Sequence, residues 1–281
     1  MSILEIIKVI VLGLVEGFTE WLPISSTGHL ELVNDIIVFN VSDEFYEMFK
    51  VVIQLGAMMA VALTYFQRLN PFSKRKNAAK RRATTQLWIK ILIGCLPASI
   101  LGLLLDDFLE KYLSGGFVIA IMLILYGIIF ILVERAKQYQ EPMIDRTAKI
   151  DYGTALYIGA FQVLALIPGT SRSGVTILGA ILLGCSRAVA TEFSFFLGLP
   201  IIAGASGWKL FKLVVLNKYI ISSAELGYLI IGCLVAFIAS AYSIKILIDW
   251  IKKHDFKFFG YYRIVIGVVV LIWFGLSAMV A

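Results

Sequence analysis

Gly13–Leu30 reads GLVEGFTEWLPISSTGHL, and Gly159–Thr176 reads GAFQVLALIPGTSRSGVT. Each is an apolar stretch broken at a proline, Pro23 or Pro168, and each runs into a cluster of Ser, Thr and Gly. Proline removes a backbone donor and breaks a helix, whereas Ser and Thr cap the start of the next one. The first stretch carries two carboxylates and a histidine; the second carries one arginine. Ionisable groups in apolar segments are costly and mark functional sites by default. The two segments read together as one phosphate-handling site divided between the halves of a membrane protein.

The rest of the chain supports the membrane reading. Of its 281 residues, 60% are hydrophobic and 16% charged, with a mean hydropathy of +0.89. Soluble domains average about 45–50% apolar and about 25% charged, so this composition belongs in lipid. Six spans near the length a bilayer requires are expected at Val51–Gln67, Leu87–Leu105, Phe117–Val133, Ala188–Leu210, Leu226–Ile248 and Ile264–Val280. A kink is expected at Pro200, and an outward-facing end at Asp106, Asp107 and Glu110. Met1–Val15 lacks the basic start and small-residue cleavage site of a signal peptide. Cys95, Cys185 and Cys233 are far apart in apolar surroundings and read as packing residues.

The net charge of +6 is concentrated in three loops: Arg68–Arg82, Arg135–Lys149 and Lys252–Lys257. By the positive-inside rule these are cytoplasmic, and orientation plus anionic lipid accounts for them without a nucleic-acid partner. With those loops inside, the segments Ile3–Phe39 and Tyr152–Cys185 must each enter and leave on one side. Re-entrant backbone at membrane depth is tolerated where protein surrounds it or it lines a watery cavity. Gly13, Glu16, Ser25, Thr27 and Gly28 align without a gap with Gly159, Gln162, Ser171, Ser173 and Gly174, 146 residues on. Glu47 aligns with Glu192 at nearly the same offset. The expected fold is therefore an all-α integral membrane protein in one domain, with six transmembrane helices plus two re-entrant helical hairpins (3–39 and 152–185). These form an inverted-topology repeat of about 1–135 and 150–281.

Glu16 and Glu20 lie four apart on one helix face. Two like charges that close call for a cation or a shared proton, and a hard divalent metal, Mg²⁺ or Ca²⁺, takes such oxygens together with substrate phosphates. Ser25, Ser26 and Thr27 cap the helix after Pro23, whose free N–H groups suit an anion. His29 lies three residues after Ser26, as a base, a general acid, a phosphoryl acceptor or a packing histidine. Arg172, between Ser171 and Ser173, has the planar donors that cradle phosphate oxygens. Its structural alternative is a register-fixing pair with Glu192. Thr176 and Gln162 can add hydrogen bonds, and Gln54 can face the same cavity. Glu192 with Ser194 reads as a structural polar contact, and His254 as a surface residue.

The strings EGFTEWLPISSTGHL and PGTSRSGVT, with FKVVIQLG (Phe49–Gly56) and EFSFF (Glu192–Phe196), resemble the signatures of the bacitracin-resistance type undecaprenyl-pyrophosphate phosphatases. The resemblance implies a multi-pass enzyme of the bacterial inner membrane that removes the terminal phosphate of undecaprenyl pyrophosphate. Its product, undecaprenyl phosphate, is the lipid carrier for peptidoglycan and other wall polymers. A metal requirement, a pocket opening to the outer side and resistance to bacitracin are implied as well. Glu16 and Glu20 match the family's acidic motif, Ser26 and His29 its serine-rich motif, and Arg172 its essential arginine, with Ser171, Ser173 and Thr176 as polar positions beside it. Catalytic candidates are then Glu20, Ser26, His29 and Arg172, with Ser26, His29 or an activated water as nucleophile. Ser25, Thr27, Gln54, Ser171, Ser173 and Thr176 are candidates for substrate binding. Expected partners are the polyprenyl pyrophosphate lipid and membrane lipids; a homodimer is compatible. The competing reading from another class is a polyprenyl-phosphate transporter or flippase, alone or combined with the phosphatase, since inverted repeats with broken helices suit carriers equally well.

Overall fold

The computed structural model describes residues 2–113 and 115–280, apart from the side chains at 106, 107, 110 and 274–280. The side chains at the outward end expected at Asp106, Asp107 and Glu110, and at the far end of the last span, lie outside the description. The described chain is helical: α1 (Ile3–Thr19), α2 (Ser26–Ile37), α3 (Asp43–Val52), α4 (Gln54–Thr64), α5 (Phe66–Leu69), α6 (Ala78–Leu113), α7 (Gly116–Lys137), α8 (Tyr152–Val163), α9 (Arg172–Leu182), α10 (Arg187–Phe211), α11 (Ser223–Ile251) and α12 (Lys257–Val280). Helix starts are marked by short polar side chains. Ser2, Ser42, Asp151, Ser186 and Ser222 each accept a hydrogen bond from a backbone N–H in the first turn, and Ser222 forms a reciprocal capping box with Glu225. Each such cap contributes about 0.5–2 kcal/mol.

Five helical segments among the described residues are long and apolar enough to cross a membrane: Asp43–Thr64, Ala78–Leu105, Gly116–Lys137, Arg187–Leu216 and Ser223–Ile251. The sixth expected span falls on α12. Their outer faces are apolar at helical spacing. Leu92, Leu96 and Ile100 on α6, and Ile230, Leu234 and Ile238 on α11, recur every fourth residue and are all exposed. A soluble helix turns such a stripe inward, so these faces require lipid.

Two expected boundaries are corrected. The span placed at Val51–Gln67 begins at Asp43, breaks at Ile53 and ends at Thr64. Lys50, just before that expected start, is buried and bonded to Glu31 and to Glu47 (2.6 Å), so the helix carries it inside. Lys80, Arg81 and Arg82 were expected in a loop but lie in the first turns of α6. Ala, Lys and Arg are strong helix formers, and local propensity extends the helix well beyond its apolar part. Pro200, where a kink is expected, lies inside α10, which continues on both sides of it.

Small residues let the helices approach closely, as in membrane interiors generally. A Cβ at Gly56 (α4) would lie 2.0 Å from the Cys233 carbonyl oxygen on α11, and one at Gly159 (α8) 2.2 Å from that of Gly94 on α6. Inside, Trp21, Phe130, Phe193, Phe195 and Phe196 share one core cluster; Leu30, Phe45 and Phe49 belong to a second. Replacement of Gly56 by Ala is expected to destabilise by about 1–3 kcal/mol through overpacking, lowering the melting temperature in detergent. Gly207→Ala, where a Cβ meets nothing within 4 Å, leaves that temperature unchanged or raises it.

Candidate active site

Two helix breaks build the site, and they share one local design. After α1 the chain turns through Glu20–Ile24 before α2; after α8 it passes through a 3₁₀ turn, Leu164–Leu166, before α9. The residue before each new helix is a serine in a left-handed conformation, Ser25 (φ 73°) and Ser171 (φ 75°). Each hydroxyl accepts from the N–H of the glycine three residues on, Gly28 (3.4 Å) and Gly174 (3.1 Å). Serine at positive φ costs about 1–3 kcal/mol and persists only where its surroundings fix it. These two residues are 146 positions apart, the offset of the repeated sequence pattern.

The breaks meet at Glu20. Its Oε1 accepts from Arg172 Nη2 at 3.0 Å, and its Oε2 accepts from the Ser26 hydroxyl at 2.7 Å. Arg172 Nη1 donates to the Ser194 carbonyl (2.9 Å), and its guanidinium lies 5.1 Å from the Trp21 ring centroid. Ser173 Oγ reaches the carbonyls of Glu20 (3.2 Å) and Leu22 (3.0 Å), tying α9 to the first break. Thr176 is held by the Arg172 carbonyl (2.9 Å) and by the Ser194 hydroxyl (2.7 Å). Glu20, Ser26 and His29 are all buried, and Arg172 is nearly so.

A cavity of about 510 Å³ opens onto this cluster. Glu20, Ser25, Ser26, Thr27, Gln54, Gln162, Ser171 and Arg172 line it together with apolar residues of α6 and α10, among them Leu103, Ile201 and Trp208; Glu47, Ser99 and Lys209 line it as well. It thus combines charged and polar groups with an apolar lining. The free N–H groups that begin α2 and α9 add partial positive charge near Ser26 and Arg172.

Glu16 is fully buried, and neither of its carboxylate oxygens has a hydrogen-bond partner. Buried acceptors without donors are rare and need an explanation. Glu16 and Glu20 fit the oxygen-donor pair that a hard divalent cation takes when substrate oxygens complete its shell. A self-sufficient protein cage is not the arrangement: among the described residues no three His, Cys, Asp or Glu side chains converge to hold a metal.

The structure separates His29 from the cluster. Its Nδ1 lies 2.7 Å from the Ser25 carbonyl oxygen, and its Nε2 2.8 Å from the Tyr262 hydroxyl on α12. A carbonyl only accepts, so Nδ1 carries the hydrogen and, in the neutral ring, Nε2 accepts from Tyr262. Ser26 is therefore bonded to Glu20 and not to His29. Glu192 bonds Arg68 and the Thr147 hydroxyl (2.5 Å), not Arg172, which removes the register-pair alternative. His254 stacks on Trp250 at the surface, as expected. Cys95 and Cys185 are buried and Cys233 is partly so, all with free thiols.

Sequence reasoning passed over three contributors. Trp21 anchors the first break through Nε1 to the Ala57 carbonyl (3.2 Å) while facing Arg172. Gly198 leaves room for the guanidinium, since a Cβ there would lie 2.8 Å from Arg172 Nη1. Arg263 enters from α12, and its one available signal was a lone cation heading the last apolar run.

The family model described as "Bacitracin resistance protein BacA" matches residues 9–269. Among similar curated proteins, the undecaprenyl-diphosphatase of Streptococcus mutans is 54% identical over 97% of both chains. That of Enterococcus faecalis is 52% identical over 94% of this chain and 95% of its own. That of Desulfitobacterium hafniense is 48% identical over the full length of both. With a family match across nearly the whole chain and relatives at about half identity, this protein belongs to the bacitracin resistance protein BacA family.

Proposed function

We propose that this chain is an undecaprenyl-diphosphate phosphatase: it hydrolyses undecaprenyl pyrophosphate to undecaprenyl phosphate and inorganic phosphate, recycling the carrier for peptidoglycan and other wall polymers. Raised capacity for this reaction confers bacitracin resistance. The observation that carries the reading is Glu20, held between a serine hydroxyl and an arginine from two separate breaks, in a cavity that combines these groups with a largely apolar lining. That composition suits a diphosphate head on a hydrocarbon tail.

In this mechanism Arg172, Ser171 and the N–H groups opening α2 and α9 hold the terminal phosphate, with Ser25, Thr27 and Gln54 lining the pocket; Ser173 and Thr176, expected to bind substrate, lie outside its lining and are bonded to protein groups that fix α9. The Ser26 oxygen attacks the terminal phosphorus and passes its proton to Glu20, 2.7 Å away. The new O–P bond forms as the bridging P–O bond breaks, and undecaprenyl phosphate leaves with the bridging oxygen. The proton on Glu20 passes to that leaving phosphate, and the regenerated carboxylate deprotonates a water that attacks the phosphoserine phosphorus; the serine O–P bond breaks, the serine oxygen takes the proton back, and inorganic phosphate leaves. Arg172 meets the charge that grows on the equatorial oxygens, where positioned cations matter most in phosphoryl transfer. Glu16 and Glu20 would hold a divalent metal, Mg²⁺ or Ca²⁺, which when bound offsets phosphate charge. His29 supports the Ser25 turn through its carbonyl contact.

The finer architecture belongs to the same proposal: six spans and two re-entrant hairpins in the inner (plasma) membrane, as inverted repeats of about 1–135 and 150–281, with the pocket open to the outer side. The matching serine turns at Ser25 and Ser171 support it. The same symmetry favours a second reading, in which the chain carries the polyprenyl phosphate across the membrane, alone or after hydrolysis.

Three outcomes are expected. Purified protein in detergent releases phosphate from undecaprenyl pyrophosphate, stops with EDTA and recovers with Mg²⁺ or Ca²⁺. Arg172→Ala lowers that rate by about 10³-fold; no release from folded wild type under either cation overturns the enzyme reading. Ser26→Ala loses phosphate release, and a variant that still moves labelled polyprenyl phosphate between vesicle leaflets assigns transport to the same chain. Single cysteines at Lys76 and at Asn40 should react with an impermeant maleimide from the cytoplasmic and the outer side respectively. Labelling of both from one side contradicts the single crossing by Asp43–Thr64 on which that topology rests.

A further inference from the structure

Arg263 is fully buried and lines no part of the cavity, and the proposed reaction makes no use of it. Its Nη1 donates to the Pro23 carbonyl at 3.1 Å. Its Nη2 reaches the carbonyls of Gly169 (2.9 Å), Thr170 (3.0 Å) and Met122 (3.4 Å). Among the described residues its hydrogen-bond partners are backbone carbonyls, with the Tyr126 ring 5.9 Å away. The preceding residue, Tyr262, bonds His29 Nε2, whose Nδ1 donates to the Ser25 carbonyl. One dipeptide on α12 thus grips Pro23 and, through His29, Ser25 in the first break, and Gly169 and Thr170 in the second. These contacts fall on Pro23 and Ser25 in the first break and on the two residues before Ser171 in the second, beside both serines held at positive φ.

Burying a cation without an anionic partner is expensive, and an apolar side chain of similar volume would fill the space at less cost. What the guanidinium supplies is direction: planar donors at fixed angles, able to take carbonyls from two turns at once. The peptide joining Thr170 to Ser171 is trans, so with its carbonyl on Arg263 its N–H points away from α12. The following residues, Ser171 and Arg172, line the cavity.

We propose that Arg263 is a positioning residue that fixes the two serine turns against each other, so that Ser26, Glu20 and Arg172 meet in reactive geometry. The proposal rests on the phosphatase reading for its kinetic part and on the fold alone for its structural part. Arg263→Lys keeps the charge without the fork, and Arg263→Met removes both. In Arg263→Met, kcat per folded molecule should fall by about 100-fold, the scale of a misplacement of about 1 Å remote from the chemistry. KM should stay within about twofold, because substrate contacts remain. Arg263→Lys should remain at least about 10-fold below wild type in kcat, since one ammonium cannot span both turns. Should the methionine variant not be recovered folded, the lysine variant decides by the same criterion. Wild-type kcat in the folded variants, or a rise in KM with kcat unchanged, overturns the assignment.

A second readout does not need activity. Nitroxides at Ile36→Cys and Leu182→Cys, exposed at the far ends of α2 and α9, are placed in a chain with Cys95, Cys185 and Cys233 replaced by Ala. Their distance distribution should be narrow with Arg263 present and broadened or shifted in Arg263→Lys. An unchanged distribution overturns the proposal even if wild type proves inactive, whereas a changed one beside an inactive wild type sinks only the phosphatase reading.

Discussion

Backbone carbonyls and N–H groups at the ends of broken helices have no helical partner, and inside an apolar chain they have little water to turn to. Much of this structure follows from how that deficit is met. The two breaks satisfy one another: Ser173 of the second reaches the Glu20 and Leu22 carbonyls of the first. Further carbonyls from both turns are collected by Arg263. The tips are thereby held close by polar groups that their own helices left unpaired, and the close Gly-mediated contacts of α4 with α11 and α8 with α6 let the surrounding helices draw in behind them.

The charges at the centre obey the same economy. Glu20 and Arg172 are both largely removed from solvent, and taking such a pair out of water is unfavourable unless every remaining donor and acceptor is used. Glu20 uses both carboxylate oxygens, one for Arg172 and one for Ser26. Arg172 adds the Ser194 carbonyl and the Trp21 face but leaves Nε without a partner. Glu16 leaves two acceptors open as well. The cluster thus pairs the groups that join the two breaks and leaves these three atoms without a partner, and each such buried polar atom calls for an explanation.

Most of the site was legible in the sequence because its signals are local. Proline followed by Ser/Thr/Gly announces a helix break and a new N-terminus, and the only charges beside those breaks, Glu16, Glu20 and Arg172, had to be functional or paired. What stayed hidden depends on partners remote in the chain. His29 sits three residues from Ser26, yet its Nε2 is taken by Tyr262, 233 positions on. Lys50 fell outside the expected span Val51–Gln67 because nothing nearby in sequence shows that Glu31 crosses from α2 to share it with Glu47. Arg68 likewise claims Glu192 from 124 positions away. Helical propensity, not hydropathy, set the start of α6, so an apolar-window reading began it too late.

The span of these contacts bears on how the protein is made. Glu20 waits 152 residues for Arg172, and Pro23 waits 240 for Arg263. At a synthesis rate of about 5–20 residues per second, the first broken helix leaves the ribosome more than about 10 s before its last clamp exists. During that interval its turn is a polar defect in a nascent apolar chain, sheltered by water, lipid headgroups or the insertion machinery. Assembly of the two tips is therefore a late event, and a ribosome stalled before α12 leaves behind an inserted but unlocked chain.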